Sequence, residues 1–156
     1  MKVFALCLLI WLSAGLQATV APAIAFGPVL PSFPVIVICA FSAWLSPVGT
    51  VVAGFFAGLF QGAVGGVSMG AYVISRTLLG LALGRWNELE YEPGPIATGI
   101  ITAVSTLLVQ ALMLVLAPPR DLIEFGFATI GSAIYNGVLA IPLFALLAWA
   151  FPRSRR

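Results

Sequence analysis

The chain predicts an all-α integral membrane protein, a six-transmembrane-helix bundle forming one domain over residues 1–156. Three observations predict it. Apolar residues make up 62% of the chain and charged residues 8%, seven basic and five acidic, whereas a soluble domain carries about 45–50% and about 25%. Mean hydropathy is +1.14, more apolar surface than a water-soluble fold of this size can hide. The apolar residues also fall into six runs of 17 to 25 residues, long enough to cross a hydrocarbon core of roughly 30 Å. Lipid offers no partner to an open sheet edge, so such runs are expected to be helices. The alternation of a membrane β-barrel is missing. This balance excludes a soluble enzyme, a nucleic-acid binder and a disordered tail.

The runs can be taken in order. The first, residues 3–20, follows Met1-Lys2. No charge occurs over residues 3–26, longer than the apolar core of a cleaved signal, so a retained first span is expected despite the small residues of "LQATVAPA". The second, residues 29–45, carries Pro31 and Pro34 in its first turns, where proline is tolerated. Pro47 opens the third, residues 48–64, and Gly65-Gly66 links it to the fourth, residues 67–84. A charged loop "RWNELEYEPGP" holds Glu88, Glu90 and Glu92, read as a solvated acidic stretch. The fifth run is 96–117; "APPRDLIEFG" follows as a loop; the sixth is 127–151, interrupted by Pro142. Short links force antiparallel neighbours.

Lys and Arg set the orientation. With six spans and a cytoplasmic N-terminus, Lys2, Arg85, Arg153, Arg155 and Arg156 lie inside and only Arg120 outside. An odd number of spans would split Lys2 from the "RSRR" tail. Both termini are therefore expected in the cytoplasm, with the protein multi-pass. The two halves show no visible repeat.

The clearest motif is glycine at every fourth position: Gly54, Gly58, Gly62, Gly66 and Gly70. Residues four apart share a helix face, so the third span carries a groove without side chains. A second helix can approach closely there through dispersion and weak Cα–H···O contacts. Two readings stand: packing within the bundle, or docking of a partner's helix at Gly54, Gly58 and Gly62, helped by Gln61. Gly80 and Gly84 form a weaker version on the fourth span.

Arg76 lies near the centre of the fourth span, where insertion costs about 2.5–3.5 kcal/mol. It must face protein or water. No acidic residue lies inside any run, so its acceptor is Gln61, Gln110, Asn136, a carbonyl near Pro142, or an anionic group from outside. It can fix helix register, bind an anion or lipid headgroup, or pair with a partner subunit. Gln17, Gln110, Tyr135 and Asn136 are the other intramembrane polar groups, expected to bond between helices. Cys7 and Cys39 sit in apolar runs and read as small hydrophobes. With no histidine, no metal-ligand spacing or proton shuttle exists. No nucleophile–base pair, phosphate loop or dinucleotide fingerprint occurs, so no catalytic residue and no cofactor is expected.

Several stretches align with one family. They are "LQATVAP", "GPVLPSFPVIVICAFSAWL", the glycine-rich "SPVGTVVAGFFAGLFQGAVGGVSMGAYVISRTLLGLALGR", and "AIYNGVLAIPLFALL". Their order resembles the rod shape-determining protein MreD over most of the chain. The resemblance implies a non-enzymatic membrane scaffold of the bacterial cell-elongation complex. It implies contact with the bitopic scaffold MreC. It further implies a link, directly or through MreC, to the MreB filament and the RodA–class B penicillin-binding protein synthase of peptidoglycan. It also implies a fold shared with the S-components of energy-coupling-factor vitamin transporters. Three positions depart from the family pattern. Gln61 stands where an aspartate is common, Leu30-Pro31-Ser32 where Arg-Pro-Asp or Arg-Pro-Asn is common, and Arg76 where an apolar or aromatic residue is expected. The S-component likeness leaves an alternative open, a small-molecule-binding membrane subunit in which Arg76 holds an anionic ligand. A helper subunit of another membrane machine is a third.

Overall fold

The computed structural model describes residues 2–65, 68–88 and 93–152, with side chains from Leu6 onward. Gly66, Glu90, Glu92 and the tail at 153–156 lie outside the described residues. Six α-helices form: α1 (Lys2–Thr19), α2 (Phe33–Ser42), α3 (Pro47–Gly65), α4 (Met69–Asn87), α5 (Pro95–Leu116) and α6 (Leu122–Ala150), with a 3-10 turn at Pro22–Ile24. Three of them, α3, α5 and α6, are long and apolar enough to cross a membrane. The protein is thus all-helical and of membrane type. α4 equals α3 in length but is the least apolar of the six, since it carries Arg76 and Arg85.

The second apolar run departs most from expectation. It was expected to be helical over 29–45, yet the helix occupies only its ten central residues, about 15 Å at 1.5 Å per residue. Proline explains the late start. Pro28 and Pro31 have no N–H to give a helix, and Gly27 turns the chain with φ +60°. A small antiparallel bridge, Phe26 to Val29, forms instead. What α2 lacks in length it has in enclosure. Pro34 through Ser42 are all buried, and α2 touches each of the other helices. A helix that is apolar on every side belongs in an interior.

The sixth run also differs. The stretch expected as loop up to Gly126 is already helical from Leu122, because Asp121 accepts from the backbone N–H of Ile123 (2.9 Å) and Glu124 (3.0 Å). That carboxylate satisfies two of the donors a helix start leaves open. The helix then continues unbroken through Pro142 to Ala150, so Pro142 does not interrupt it.

Long-range bonds give the directions. Gln17 near the end of α1 bonds Pro31 and Phe33 at the start of α2. The N–H of Ser32 donates to Asn136 on α6, and Trp44 just beyond α2 donates to the Phe151 carbonyl just beyond α6. Asn87 at the end of α4 donates to the Ser42 carbonyl. The helices α2, α4 and α6 therefore run one way, and α1, α3 and α5 the other. Large apolar side chains such as Trp11, Phe55, Leu81, Val115, Ile134 and Trp149 stand exposed on the outer helices. Such a surface suits acyl chains and not water.

Candidate functional site: a buried cationic cavity

The glycine stripe of α3 faces α4 of the same chain. A Cβ added at Gly54 would collide with the Arg76 carbonyl, and one at Gly58 would lie 2.6 Å from the Tyr72 carbonyl and 2.7 Å from the Val73 Cα. At Gly62 it would lie 3.0 Å from the Met69 Cα. α4 answers with its own pair. A Cβ at Gly80 would strike the Thr50 carbonyl, and one at Gly84 would sit 2.8 Å from the Pro47 carbonyl. The two helices are therefore in backbone contact along their lengths, antiparallel, with small residues on both sides. Of the two readings for Gly54, Gly58 and Gly62, packing within the bundle is the one the geometry favours over docking of a partner's helix. The stripe is closed by α4, and a partner's helix finds no space there.

That close approach brings Gln61 and Arg76 together, one turn from the end of α3 and two turns into α4. Gln61 is buried and does not offer itself to a partner; its Oε1 accepts from Arg76 Nε at 3.0 Å. Arg76 is 4% exposed. Its Nη1 donates to Ser75 Oγ at 2.9 Å, and its guanidinium carbon lies 4.9 Å from the centre of the Tyr72 ring. Ring and guanidinium sit one turn apart on α4, a favourable cation–π spacing worth about 2 kcal/mol when desolvated. The Gln61 bond is charge-assisted, about 1.5–3 kcal/mol. Removing the charge from water costs several kcal/mol. These contacts offset much of that cost but neutralise no charge. Among the described residues the one ion pair is Arg85 with Glu88, at the surface.

Beside Arg76 lies a cavity of about 180 Å³. Gln17, Ser32, Gln61, Tyr72, Thr106, Gln110 and Asn136 contribute to its wall along with Pro31, Val109 and Met113. All six helices or their adjoining turns reach it, at the end of the bundle away from Lys2 and Ala150. Asn136 is fully buried and bridges two elements: Oδ1 accepts from the Ser32 N–H (2.8 Å) and Nδ2 donates to Thr106 Oγ1 (3.0 Å). Gln17 clamps the same turn from the other side, donating to the Pro31 carbonyl (3.0 Å) and accepting from the Phe33 N–H (2.9 Å). Gln110 lines the cavity and makes no hydrogen bond among the described residues. The Ser32 Oγ is buried with no partner.

The expected intramembrane polar groups thus divide. Arg76, Gln110 and Asn136 converge on the cavity. Tyr135 does not; its hydroxyl donates to the Ile24 carbonyl (3.2 Å) and its ring packs on Phe26. Of the acceptors expected for Arg76, Gln61 serves, while Gln110, Asn136 and the carbonyls near Pro142 do not. Ser75 and Tyr72 escaped the sequence reading. Tyr72 was findable as an aromatic four residues before a buried arginine. Also passed over were Thr98, Thr102 and Thr106, four apart on one face of α5. Each donates its hydroxyl to the carbonyl four residues back, at 2.8–3.0 Å, so the stripe is buried at little polar cost. No family model, curated protein or solved structure matches the chain.

Proposed function

We propose that this chain is a non-enzymatic subunit of the bacterial cell-elongation complex, an MreD-like scaffold that spans the inner membrane six times. The observation that carries the reading joins two of the stretches behind the resemblance. "GPVLPSFP" and "AIYNGVLAIP" lie a hundred residues apart, yet Ser32 N–H donates to Asn136 Oδ1 (2.8 Å), and Leu30 N–H donates to the Oγ of Ser132, the residue just ahead of the second stretch (3.3 Å). Two of the stretches that carry the likeness are thus tied to each other across the bundle. In this reading α1 and α4 cross the bilayer beside α3, α5 and α6, and α2 crosses with its extended lead-in. The alternating directions then leave both termini in the cytoplasm, as the basic residues require. MreC is the direct partner, and MreB and the RodA–class B penicillin-binding protein synthase are reached directly or through it. With the α3 stripe closed, recognition falls to the outer helix faces.

The test is affinity purification of the tagged chain in mild detergent, with mass-spectrometric identification of what it retains, plus reporters fused to each end. MreC enriched over an unrelated six-span control, with both reporters cytoplasmic, is the expected result. No MreC, or reporters on opposite sides, overturns it.

A second reading, a small-molecule-binding membrane subunit, is favoured by the cavity at Arg76. Size limits it. About 180 Å³ falls below the roughly 300–1,000 Å³ of pockets that enclose drug-sized ligands, which favours a smaller ligand than a vitamin.

A further inference from the structure

We infer that the Arg76 cavity binds a small oxyanion group, a phosphate or carboxylate, which supplies the negative charge the bundle lacks. The inference rests on the cavity alone and stands whether or not the chain belongs to an elongation complex.

Three observations carry it. The guanidinium is 4% exposed and has five N–H groups, of which two are spent, on Gln61 Oε1 and Ser75 Oγ. The remaining N–H groups lie on the nitrogens of a planar fork suited to bidentate oxyanion binding. No carboxylate reaches it among the described residues, where the ion pairing is confined to Arg85 and Glu88. One further polar group on the cavity wall is unspent, the Gln110 amide; the Ser32 hydroxyl also has no partner, but its oxygen is sealed from the cavity. An amide and a guanidinium fork form a donor set for one oxyanion.

Volume sets the ligand class. About 180 Å³ is many times the roughly 10–15 Å³ that a single water needs and less than the roughly 300–1,000 Å³ of a drug-sized pocket. That suits a phosphate or carboxylate group. The group can arrive as a free ion or as the headgroup of an anionic phospholipid. The cavity lies at the end of the bundle that holds the turn before α2 and the start of α4.

The experiment uses the full chain, purified in nonionic detergent and stripped of lipid. Melting temperature is followed on titration with sodium phosphate against sodium chloride at matched ionic strength. In parallel, native mass spectrometry follows binding of short-chain phosphatidylglycerol against phosphatidylcholine. Two variants accompany the wild type. Arg76→Gln removes the charge. Ala128→Leu, on the cavity wall, fills the space and keeps the arginine, so it carries the test if Arg76→Gln fails to fold. A phosphate-specific rise in melting temperature identifies the free ion. Selective phosphatidylglycerol binding without a phosphate response identifies the headgroup. In either case affinity should fall by about tenfold or more in each folded variant. No response to either probe, or responses unchanged in the variants, overturns the inference.

Discussion

At the scale of single residues, Asn136 and Gln17 show how a lipid-embedded interior uses its few polar groups. Both face the turn before α2, where Pro28 and Pro31 prevent a helical ladder from satisfying the backbone. Asn136 receives the Ser32 N–H and Gln17 receives the Phe33 N–H. Asn136→Ala should therefore cost about 1–3 kcal/mol, the penalty of a buried donor left unmade. Unfolding titration in mixed detergent micelles measures it, and a loss below about 0.5 kcal/mol would show that water replaces the amide. These side chains were legible in the sequence as polar residues at the edges of apolar runs, but their partners were not. Nothing in "LPSFP" marks Ser32 as a neighbour of a residue a hundred positions away. Arg76 was legible as a buried charge, and Gln61 as one of its acceptors. Ser75 and Tyr72 were not singled out, because a serine and a tyrosine in an apolar run read first as packing.

At the scale of elements, hydropathy located all six helices but misjudged their ends where chain chemistry overrides it. The apolar run of residues 29–45 looks like a span whether it is helical or extended. Pro28 and Pro31 account for the late start of the ten-residue α2, which also ends three residues before the run does. Conversely, "RDLIEFG" reads as a loop by its charges, whereas its aspartate is a cap. Asp121→Ala should lower stability by about 1 kcal/mol and speed amide exchange at Ile123 and Glu124, leaving the centre of α6 protected. Unchanged exchange in that first turn would remove Asp121 from the role. The pairing of α3 with α4 was half visible. The stripe on α3 was plain, and Gly80 and Gly84 on α4 were its counterparts. Their distances from the link between the helices match those of Thr50 and Pro47, so the pair on α4 continues along the same seam that Gly54, Gly58 and Gly62 open on α3.

Considered whole, the molecule turns apolar side chains outward as well as inward. Its outside is apolar, with Val115 and Trp149 about four-fifths exposed at 80% and 82%. Its interior holds the apolar core around α2 together with Arg76, Asn136, Gln61 and the threonines of α5. Composition alone foretold the apolar outside, because a chain with 8% charged residues must present its apolar side to lipid. What composition left open was the occupant of the bare stripe on α3. A stripe closed within the chain makes the bundle stable by itself, and a stripe kept for a partner leaves the isolated chain indifferent to substitutions there.

The unfolding free energy of purified Gly58→Leu, with no other protein present, separates the two. A side chain at that position meets the Tyr72 carbonyl and the Val73 Cα. Overpacking between rigid backbones costs typically 1–3 kcal/mol and sometimes more, so a loss of about 3 kcal/mol, or failure to fold, is expected. A variant as stable as the wild type, impaired only when a partner is added, would contradict the account.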